Sequence, residues 1–144
     1  MVLVVSDKEK DMSSTSGMET SRLTSLLLGY RATEVVQKRL TEIEKAYLDK
    51  DFDTFGRITM QDSNQFHAVC LDTYPPIFYL NDTSKMIIRL VHVLNSVLGG
   101  VKAAYTFDAG PNAVIYTTEE VLYAINIIII IMILIIIMIM INTI

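Results

Sequence analysis

The chain has 144 residues, with 12 basic and 16 acidic side chains, a formal net charge of −4 at pH 7 and one cysteine. This length allows one domain with a modest core and excludes a two-domain enzyme of ordinary size. Basic and acidic residues are interspersed, which argues against a nucleic-acid partner, and the single Cys70 excludes an intramolecular disulfide framework and fits a reducing compartment.

The first half of the chain predicts one strand followed by a loop and helices. The apolar run Val2–Val5 predicts a strand and is too short for a signal peptide. The next segment, "SDKEKDMSSTSGMETS", is typical of a polar loop. The spacing of apolar residues predicts one or two amphipathic helices over 23–49. A further helix is predicted from about Asp51, which can cap it, to Leu71.

The second half predicts a helix and two strands. After a Pro-Pro break, "NDTSKMIIRLVHVLNSVLGG" predicts a helix that a residue within Asp82–Ser84 caps and Gly99–Gly100 ends. Two short strands follow, Val101–Phe107 and Ala113–Thr117, joined by the turn-forming "DAGPN". This order predicts an α+β fold in which helices pack on one face of a largely antiparallel sheet.

Local patterns offer several candidates for chemistry, each with an ordinary structural explanation. Asp108 either accepts hydrogen bonds from backbone N–H groups of its turn or points into a cleft, where it takes or orients a hydroxyl proton. The loop from Ser13 to Gly17 offers donors for phosphate oxygens, although serine-rich loops are more often solvated connectors. His67 and Cys70 share a helical spacing but lack further metal ligands, so a hydrogen-bonded histidine and a buried thiol are favoured.

Four separated stretches together resemble one family. They are "SSTSGMETS", "DFDTFGRITMQDSNQFHAVCLDTYPPIFYLND", "IIRLVH" and "AYTFDAGPNAVIYT". They are similar to the C-terminal half of the mevalonate diphosphate decarboxylase family, within the GHMP kinase superfamily, from about Val2 to about Glu120. The resemblance implies a truncated GHMP-kinase C-terminal domain over 1–120 and leaves 121–144 as an Ile- and Met-rich tail.

The resemblance implies a carboxy-lyase that uses ATP with Mg²⁺ and acts in isoprenoid and sterol biosynthesis, including cholesterol biosynthesis. The family phosphorylates the tertiary hydroxyl of mevalonate 5-diphosphate, and loss of phosphate and carbon dioxide then gives isopentenyl diphosphate. The aspartate of "DAGPN", here Asp108, is the family's catalytic carboxylate. Thr15, with Ser14 beside it, matches the family's loop on the diphosphate side of the substrate. A carboxylate suits this chemistry because it can orient a crowded hydroxyl and accept its proton.

The sequence also departs from the family. The N-terminal substrate stretch, the glycine- and serine-rich ATP loop and a substrate-binding arginine have no counterpart here, so the resemblance assigns no cofactor-binding residue and no metal ligand to this chain. Because phosphoryl transfer depends on positioning and on charge around the phosphates, we expect the 144-residue polypeptide to be inactive. The family implies a cytosolic homodimer. The alternative is a non-catalytic domain that is tethered to a membrane.

The tail predicts a hydrophobic C-terminal helix and allows two interpretations. From Ile127 to Ile141 it consists only of Ile, Met and Leu, and Val121–Ile141 is long enough to cross a hydrocarbon core of about 30 Å. Membrane contact and a membrane-associated location follow if the segment is genuine, although no basic residue flanks it and Glu119 and Glu120 precede it. The favoured interpretation is a translated AT-rich repeat or retained intron, because Ile, Met, Asn and Thr codons all begin with A.

Overall fold

Helices and strands follow the predicted order in the computed structural model of the chain, which describes residues 1–6 and 12–141. The elements are β1 (Val2–Leu3), α1 (Ser14–Thr24), α2 (Leu26–Tyr30), a π-helical turn (Arg31–Val35), α3 (Val36–Leu48), α4 (Phe52–Asp72), α5 (Asp82–Leu98), β2 (Ala103–Phe107), β3 (Ala113–Thr117) and α6 (Glu119–Ile141). The predicted α+β class is confirmed, since helices pack on a small antiparallel sheet.

The sheet has the strand order β1-β3-β2, and both pairs are antiparallel. Tyr105 of β2 lies opposite Ile115 of β3, and Leu3 of β1 lies opposite Ala113. β2 stands at an edge, but helix side chains bind its outer backbone groups. Asn95 bonds both the N–H and the carbonyl of Ala103, at 2.9 and 2.8 Å. Such bonds close an edge that would otherwise offer free donors and acceptors.

The core lies between the sheet and helices α4, α5 and α6. Tyr105 is fully buried there. α4 approaches β2 closely at Gly56, where an added Cβ would lie 2.7 Å from Val101 Cγ1 and 3.1 Å from the Cβ of Ala104. A glycine in the middle of a helix costs stability, so its presence here follows from this close approach.

Two of the predicted helix boundary signals are confirmed and one differs. Asp51 caps α4 as predicted, accepting a hydrogen bond from the Thr54 N–H at 3.1 Å. α5 ends at Gly99 with a φ of 71°, but its N-cap is Asn81 rather than a residue within Asp82–Ser84. The amide of Asn81 and the hydroxyl of Ser84 form a reciprocal capping box, which explains the shift by one residue.

The predicted loop "MSSTSGMETS" is wrong, because most of it forms α1. Ser13 Oγ accepts a hydrogen bond from the Ser16 N–H at 3.1 Å, so the serine-rich stretch starts a helix. Residues 7–11, the charged part of the predicted loop, lie outside the described residues. The region 23–49 contains the end of α1, then α2, the π-helical turn and α3, with Ser25 capping α2.

The C-terminal segment is helical, but it does not support a membrane anchor. Val121, Ile125 and Ile128, in the first turns of α6, pack against the sheet and α5, and Ile125 is 3% exposed. Within the described residues, no helix reaches the length and apolarity that a membrane crossing requires. The predicted membrane contact is therefore not supported, because the start of α6 belongs to the protein core. The domain boundary at residue 120 stays a prediction.

Candidate functional site

A cleft of about 560 Å³ lies between α1, α4 and the turn after β2. We call it the Asp108 cleft. Its walls include Ser14, Gly17, Phe66, Cys70, Tyr79 and Asp108. These residues come from four separate parts of the chain, so the cleft exists only in the folded protein. Its volume lies within the range of small-molecule sites, about 300–1,000 Å³.

Asp108 directly follows β2 and is exposed to the cleft. Its Oδ1 accepts a hydrogen bond from the Ala109 N–H at 2.8 Å, and its carbonyl accepts one from the Gly110 N–H at 2.7 Å. Among the ion pairs of residues 1–6 and 12–141, none includes Asp108. The carboxylate therefore takes part in the turn and also faces the cleft, so the two interpretations of Asp108 are compatible.

The N-terminus of α1 forms another part of the wall. Ser14 is half-buried and lines the cleft, whereas Thr15 is exposed and is not part of the lining. The first turn of a helix presents free N–H groups and the positive end of its dipole, which together favour an anion. The structure thus brings Ser14 and Asp108 to one cleft and places Thr15 outside it.

Gly17 brings α1 close to Tyr79. A Cβ at Gly17 would lie 2.4 Å from Tyr79 Oη, and that hydroxyl donates to the Ser13 carbonyl at 3.4 Å. A side chain larger than hydrogen would therefore displace the tyrosine and narrow the cleft. The sequence marks Gly17 only as part of a flexible-looking stretch, and its contact with Tyr79 depends on tertiary structure.

The floor of the cleft is largely neutral. Burial raises the pKa of the Cys70 thiol, and burial likewise raises the pKa of the Tyr79 hydroxyl. Both groups thus keep their protons near neutral pH. Phe66 and Val69 add apolar surface.

α4 connects this cleft to the end of β2. Ser63 Oγ accepts a hydrogen bond from the Phe107 N–H at 3.0 Å, and the rings of His67 and Phe107 meet edge to face at 6.3 Å. Cys70 is buried, as predicted. His67 is also buried, and its Nε2 has no hydrogen-bond partner among the described residues. The spacing of Ser63, His67 and Cys70 places them on one helix face, which is the sequence signal for this contact.

A second cleft, of about 470 Å³, lies on the other side of Arg31. We call it the Asp62 cleft, after the carboxylate in its wall. Arg31 binds Asp62 through two hydrogen bonds of 2.7 and 2.8 Å, and Arg39 adds a third at 3.0 Å. The Arg31 hydrogen bonds are the main reason why the pKa of Asp62 is lowered. The ion pairs of Arg31 and Arg39 with Asp62 connect the π-helical turn and α3 to α4.

The described residues give no positive sign of a nucleotide or metal site. The described part of the chain gathers no group of three or more His, Cys, Asp or Glu side chains that could hold a metal ion. The sequence also has no GxxxxGKS or GxGxxG motif for phosphates. The lining of the Asp108 cleft combines one carboxylate with a helix N-terminus and the ion-paired Arg22 and Arg31, a set suited to an anionic molecule that also carries a hydroxyl group.

Comparison with known proteins gives consistent matches. Residues 1–135 match the family model described as "Mevalonate 5-diphosphate decarboxylase C-terminal domain". Diphosphomevalonate decarboxylase of Debaryomyces hansenii is 62% identical over 119 residues, which cover 83% of this chain and 31% of that protein. A crystal structure of mevalonate 5-diphosphate decarboxylase superposes with a TM-score of 0.81 at 56% identity, covering 83% of this chain and 31% of the other.

A structure described as "MDDEF in complex with MVAPP, AMPPCP and Magnesium" superposes with a TM-score of 0.77 at 29% identity, covering 87% of this chain and 37% of the other. The chain thus spans about a third of the length of the relatives that it matches. Sequence, fold and family model all agree over most of its residues. The chain belongs to the mevalonate 5-diphosphate decarboxylase C-terminal domain family.

Proposed function

We propose that this chain is a part of a diphosphomevalonate decarboxylase and that the Asp108 cleft receives mevalonate 5-diphosphate. The observation that carries this proposal is that Asp108 and Ser14, at the N-terminus of α1, line one cleft. Relatives that are 62% and 56% identical have the name of this enzyme, and the "MDDEF" structure contains MVAPP, which is mevalonate diphosphate.

These two parts of the cleft suit the two ends of this substrate. The α1 N-terminus, with the Ser14 hydroxyl, binds the diphosphate, because free N–H groups and the helix dipole favour negative charge. Asp108 then faces the tertiary hydroxyl at the other end, where the carboxylate orients the hydroxyl and accepts its proton. Positive charge that develops at the tertiary carbon is stabilised by the same carboxylate in its partly apolar surroundings. Thr15 has no contact with the substrate in this proposal, because it lies outside the lining of the cleft.

We also propose that the 144-residue chain releases no carbon dioxide by itself. The ATP loop and the substrate-binding arginine that the family resemblance implies have no counterpart in this sequence, and phosphoryl transfer requires charge around the phosphates. In this proposal the chain binds substrate and supplies the carboxylate, within isoprenoid and sterol biosynthesis. The cytosolic location and the homodimer that the family implies stay predictions.

Calorimetric titration of the purified chain with two ligands tests the proposed binding mode. Mevalonate 5-diphosphate carries both a diphosphate and a tertiary hydroxyl, whereas inorganic pyrophosphate carries only the former. We expect Ser14→Ala to weaken both ligands about tenfold, since a hydrogen bond to a charged group contributes about 1.5 kcal/mol or more. Asp108→Ala should lower the ratio of the two affinities, because only mevalonate 5-diphosphate loses a contact.

Thr15→Ala is the matched control and should leave both affinities within about twofold, because Thr15 lies outside the lining. An unchanged affinity ratio in Asp108→Ala would contradict the proposed position of the hydroxyl. Carbon dioxide release with ATP, measured in parallel, should not exceed that of the Asp108→Ala variant. Release above that level would refute the proposed inactivity.

A further inference from the structure

One face of α1 lies along the Asp108 cleft. Five residues of this helix line the cleft at positions i, i+3, i+4, i+7 and i+8, which is the spacing of a single helix face: Ser14, Gly17, Met18, Ser21 and Arg22. Ser14 lies in the first turn of α1 and Arg22 in the last. They are eight residues apart, which corresponds to about 12 Å along the helix axis. An extended ligand in the cleft can therefore contact both ends of this face.

The side-chain donors of this face lie at its two ends. Thr73 Oγ1 donates its proton to the Val69 carbonyl at 2.8 Å. In the 2.7 Å contact between Thr73 and Ser21, Ser21 is therefore the donor, and its hydroxyl has no proton left for a ligand. The glycine and the methionine of the face have no polar side-chain donor. An anion along α1 is thus bound by Ser14 and Arg22.

Arg31, the other arginine in the lining, is fully engaged within the protein. Its Nη1 donates to Asp62 and to Gln65 at 2.7 and 2.8 Å, and its Nη2 donates to Asp62 at 2.8 Å. Its side chain is only 15% exposed. Removing one partner from such an ion pair is costly, because the remaining charge loses its compensation. Arg31 therefore stays with Asp62 when a ligand enters the cleft.

Arg22 differs from Arg31, because its partner covers only one edge of the guanidinium group. Nε and Nη2 donate to the two carboxylate oxygens of Glu19, at 3.2 and 2.7 Å, whereas Nη1 donates to no acceptor in the part of the chain that the structure describes. Both side chains are largely solvated, so this pair contributes little to stability. The edge formed by Nη1 and Nη2 is open, and arginine binds two oxygens of a phosphoryl group through such an edge.

We propose that Arg22 and Ser14 bind the two phosphoryl groups of one diphosphate, so that Arg22 makes the Asp108 cleft select a diphosphate over a monophosphate. Side chains on a helix lean towards its N-terminus, which brings the guanidinium closer to Ser14 than the backbone separation. Glu19 is a positioning residue, because it holds the guanidinium and leaves the Nη1 edge open. The identity of the ligand rests on the proposed function, whereas the preference for two phosphoryl groups does not depend on its hydroxyl group.

Calorimetric titration of the full 144-residue chain with inorganic pyrophosphate and inorganic phosphate tests this assignment. The wild-type chain should bind pyrophosphate at least about tenfold more tightly, the size expected for one further hydrogen bond between charged groups. Arg22→Ala should remove most of this preference. Arg22→Lys should keep part of it, because an ammonium group retains the charge but lacks the planar fork. A preference that persists in Arg22→Ala would overturn the proposal.

Arg57→Ala is the matched control for the loss of one positive charge. Arg57 is exposed on α4, donates to Thr54 three residues before it at 3.2 Å, and lines neither cleft. Arg22 has the same helical relation to Glu19. We expect Arg57→Ala to leave both affinities within about twofold. An equal loss in Arg22→Ala and Arg57→Ala would overturn the proposal, since net charge alone would then explain the effect.

Glu19→Gln should change the affinity in the opposite direction. The substitution removes a negative charge beside the open edge of Arg22, while the amide oxygen still accepts a guanidinium hydrogen bond. Pyrophosphate should therefore bind about threefold more tightly at low ionic strength, and added salt should reduce this gain. If the Glu19 pair had only a structural role, binding would be unchanged or weaker. Either of those results would contradict the assignment.

The design separates a failure of this proposal from a failure of the proposed function. The position of the tertiary hydroxyl is tested by the affinity ratio of mevalonate 5-diphosphate to pyrophosphate in Asp108→Ala, and the Arg22 contact cancels there because both ligands carry a diphosphate. The Arg22 contact is tested by the ratio of pyrophosphate to phosphate, neither of which carries a tertiary hydroxyl. A wild-type chain without a preference for pyrophosphate would refute the Arg22 assignment, even if it binds mevalonate 5-diphosphate.

Discussion

The Asp62 cleft and the Asp108 cleft contain carboxylates with opposite environments. Asp62 is bound by Arg31 and Arg39, which both also donate to the side-chain Oε1 of Gln65, at 2.8 and 2.7 Å. Asp108 has no ion pair among the described residues and accepts only a local N–H in its turn. Charges that satisfy one another hold helices together, whereas a carboxylate left facing a cleft is available to a ligand.

The comparison also shows the limit of pKa shifts as functional signals. The arginines lower the pKa of Asp62, yet its cleft is structural in this interpretation. Ion-pair networks and catalytic sites both perturb carboxylates, so the direction of a shift does not separate them. What separates the two clefts is whether the polar groups have partners inside the protein.

The largest expected difference between the clefts is in stability. Asp62→Ala leaves Arg31 and Arg39, whose side chains are 15% and 21% exposed, without their carboxylate. We expect the free energy of unfolding to fall by about 2 kcal/mol, below the cost of breaking a fully buried pair because Asp62 is partly solvated. Asp108→Ala should change it by less than about 0.5 kcal/mol. Urea unfolding followed by circular dichroism measures both.

Asp62→Asn is the control, since its amide oxygen still accepts one guanidinium hydrogen bond and should retain part of the stability. Equal destabilisation by Asp62→Ala and Asp108→Ala would break the comparison. It would mean that the Asp108 turn, rather than a binding role, is the main contribution of that carboxylate.

Sequence signals were sufficient where they are local. The cap at Asp51, the proline break after α4 and Gly99 at the end of α5 predicted both long helices, and the "DAGPN" turn predicted the two paired strands. α1 was missed because a run of hydroxyl residues is equally compatible with a loop and with a helix start. The Ser13 cap and the packing of Gly17 against Tyr79 decide between them, and the second of these is tertiary.

The candidate site, too, was predictable from the sequence only in part. The family resemblance assigned Asp108 and Thr15, with Ser14 as a neighbour of Thr15, and of these Asp108 and Ser14 line the cleft. The helical spacing of His67 and Cys70 placed both on one face of α4. No local pattern indicates that this face meets Phe107, or that Tyr79 closes the cleft against α1. Those contacts join residues that are far apart in sequence, so only the folded chain reveals them.

A smaller effect is expected from filling the Asp108 cleft at Gly17. In Gly17→Ala the new Cβ would lie 2.4 Å from Tyr79 Oη, and displacing the ring should lower the free energy of unfolding by about 1 kcal/mol net. Gly29→Ala is the matched control, because Gly29 lies in α2 with no atom within 4 Å of its added Cβ. That variant should gain about 0.5–1 kcal/mol from helix propensity.

Adding Tyr79→Phe to Gly17→Ala provides the decisive comparison. Removal of Oη relieves the contact at the cost of one long hydrogen bond to the Ser13 carbonyl, 3.4 Å, so the double variant should recover most of the lost stability. Thermal unfolding of the wild-type chain, of Gly17→Ala, of Tyr79→Phe and of the double variant gives the coupling energy between the two substitutions. Additive losses would show that the two groups do not meet as described, and that the wall of the Asp108 cleft is more open.

The smallest effect is a change of below about 1 kcal/mol in the free energy of unfolding with pH, and it should occur in a separate pH range for each cleft. We call these ranges the upper window, for His67, and the lower window, for Asp62. The pKa of His67 lies below its ordinary value of 6.5, so the unfolded chain binds a proton more readily than the folded chain. Its contribution to stability is complete above about pH 6.5 and is lost as the pH falls towards the folded pKa. Asp62 contributes above its ordinary value of 3.8 and loses this contribution only as the pH falls through its still lower folded pKa.

Urea unfolding between pH 3 and pH 8 therefore tests the comparison with two variants. His67→Gln should flatten the upper window and leave the lower one, Asp62→Asn should do the reverse, and His92→Gln should leave the upper window in place because His67 is still present. A profile in which Asp62→Asn removes the upper window would show that the clefts are not electrically independent. Arg31, which lines both clefts, would then be the residue through which they communicate.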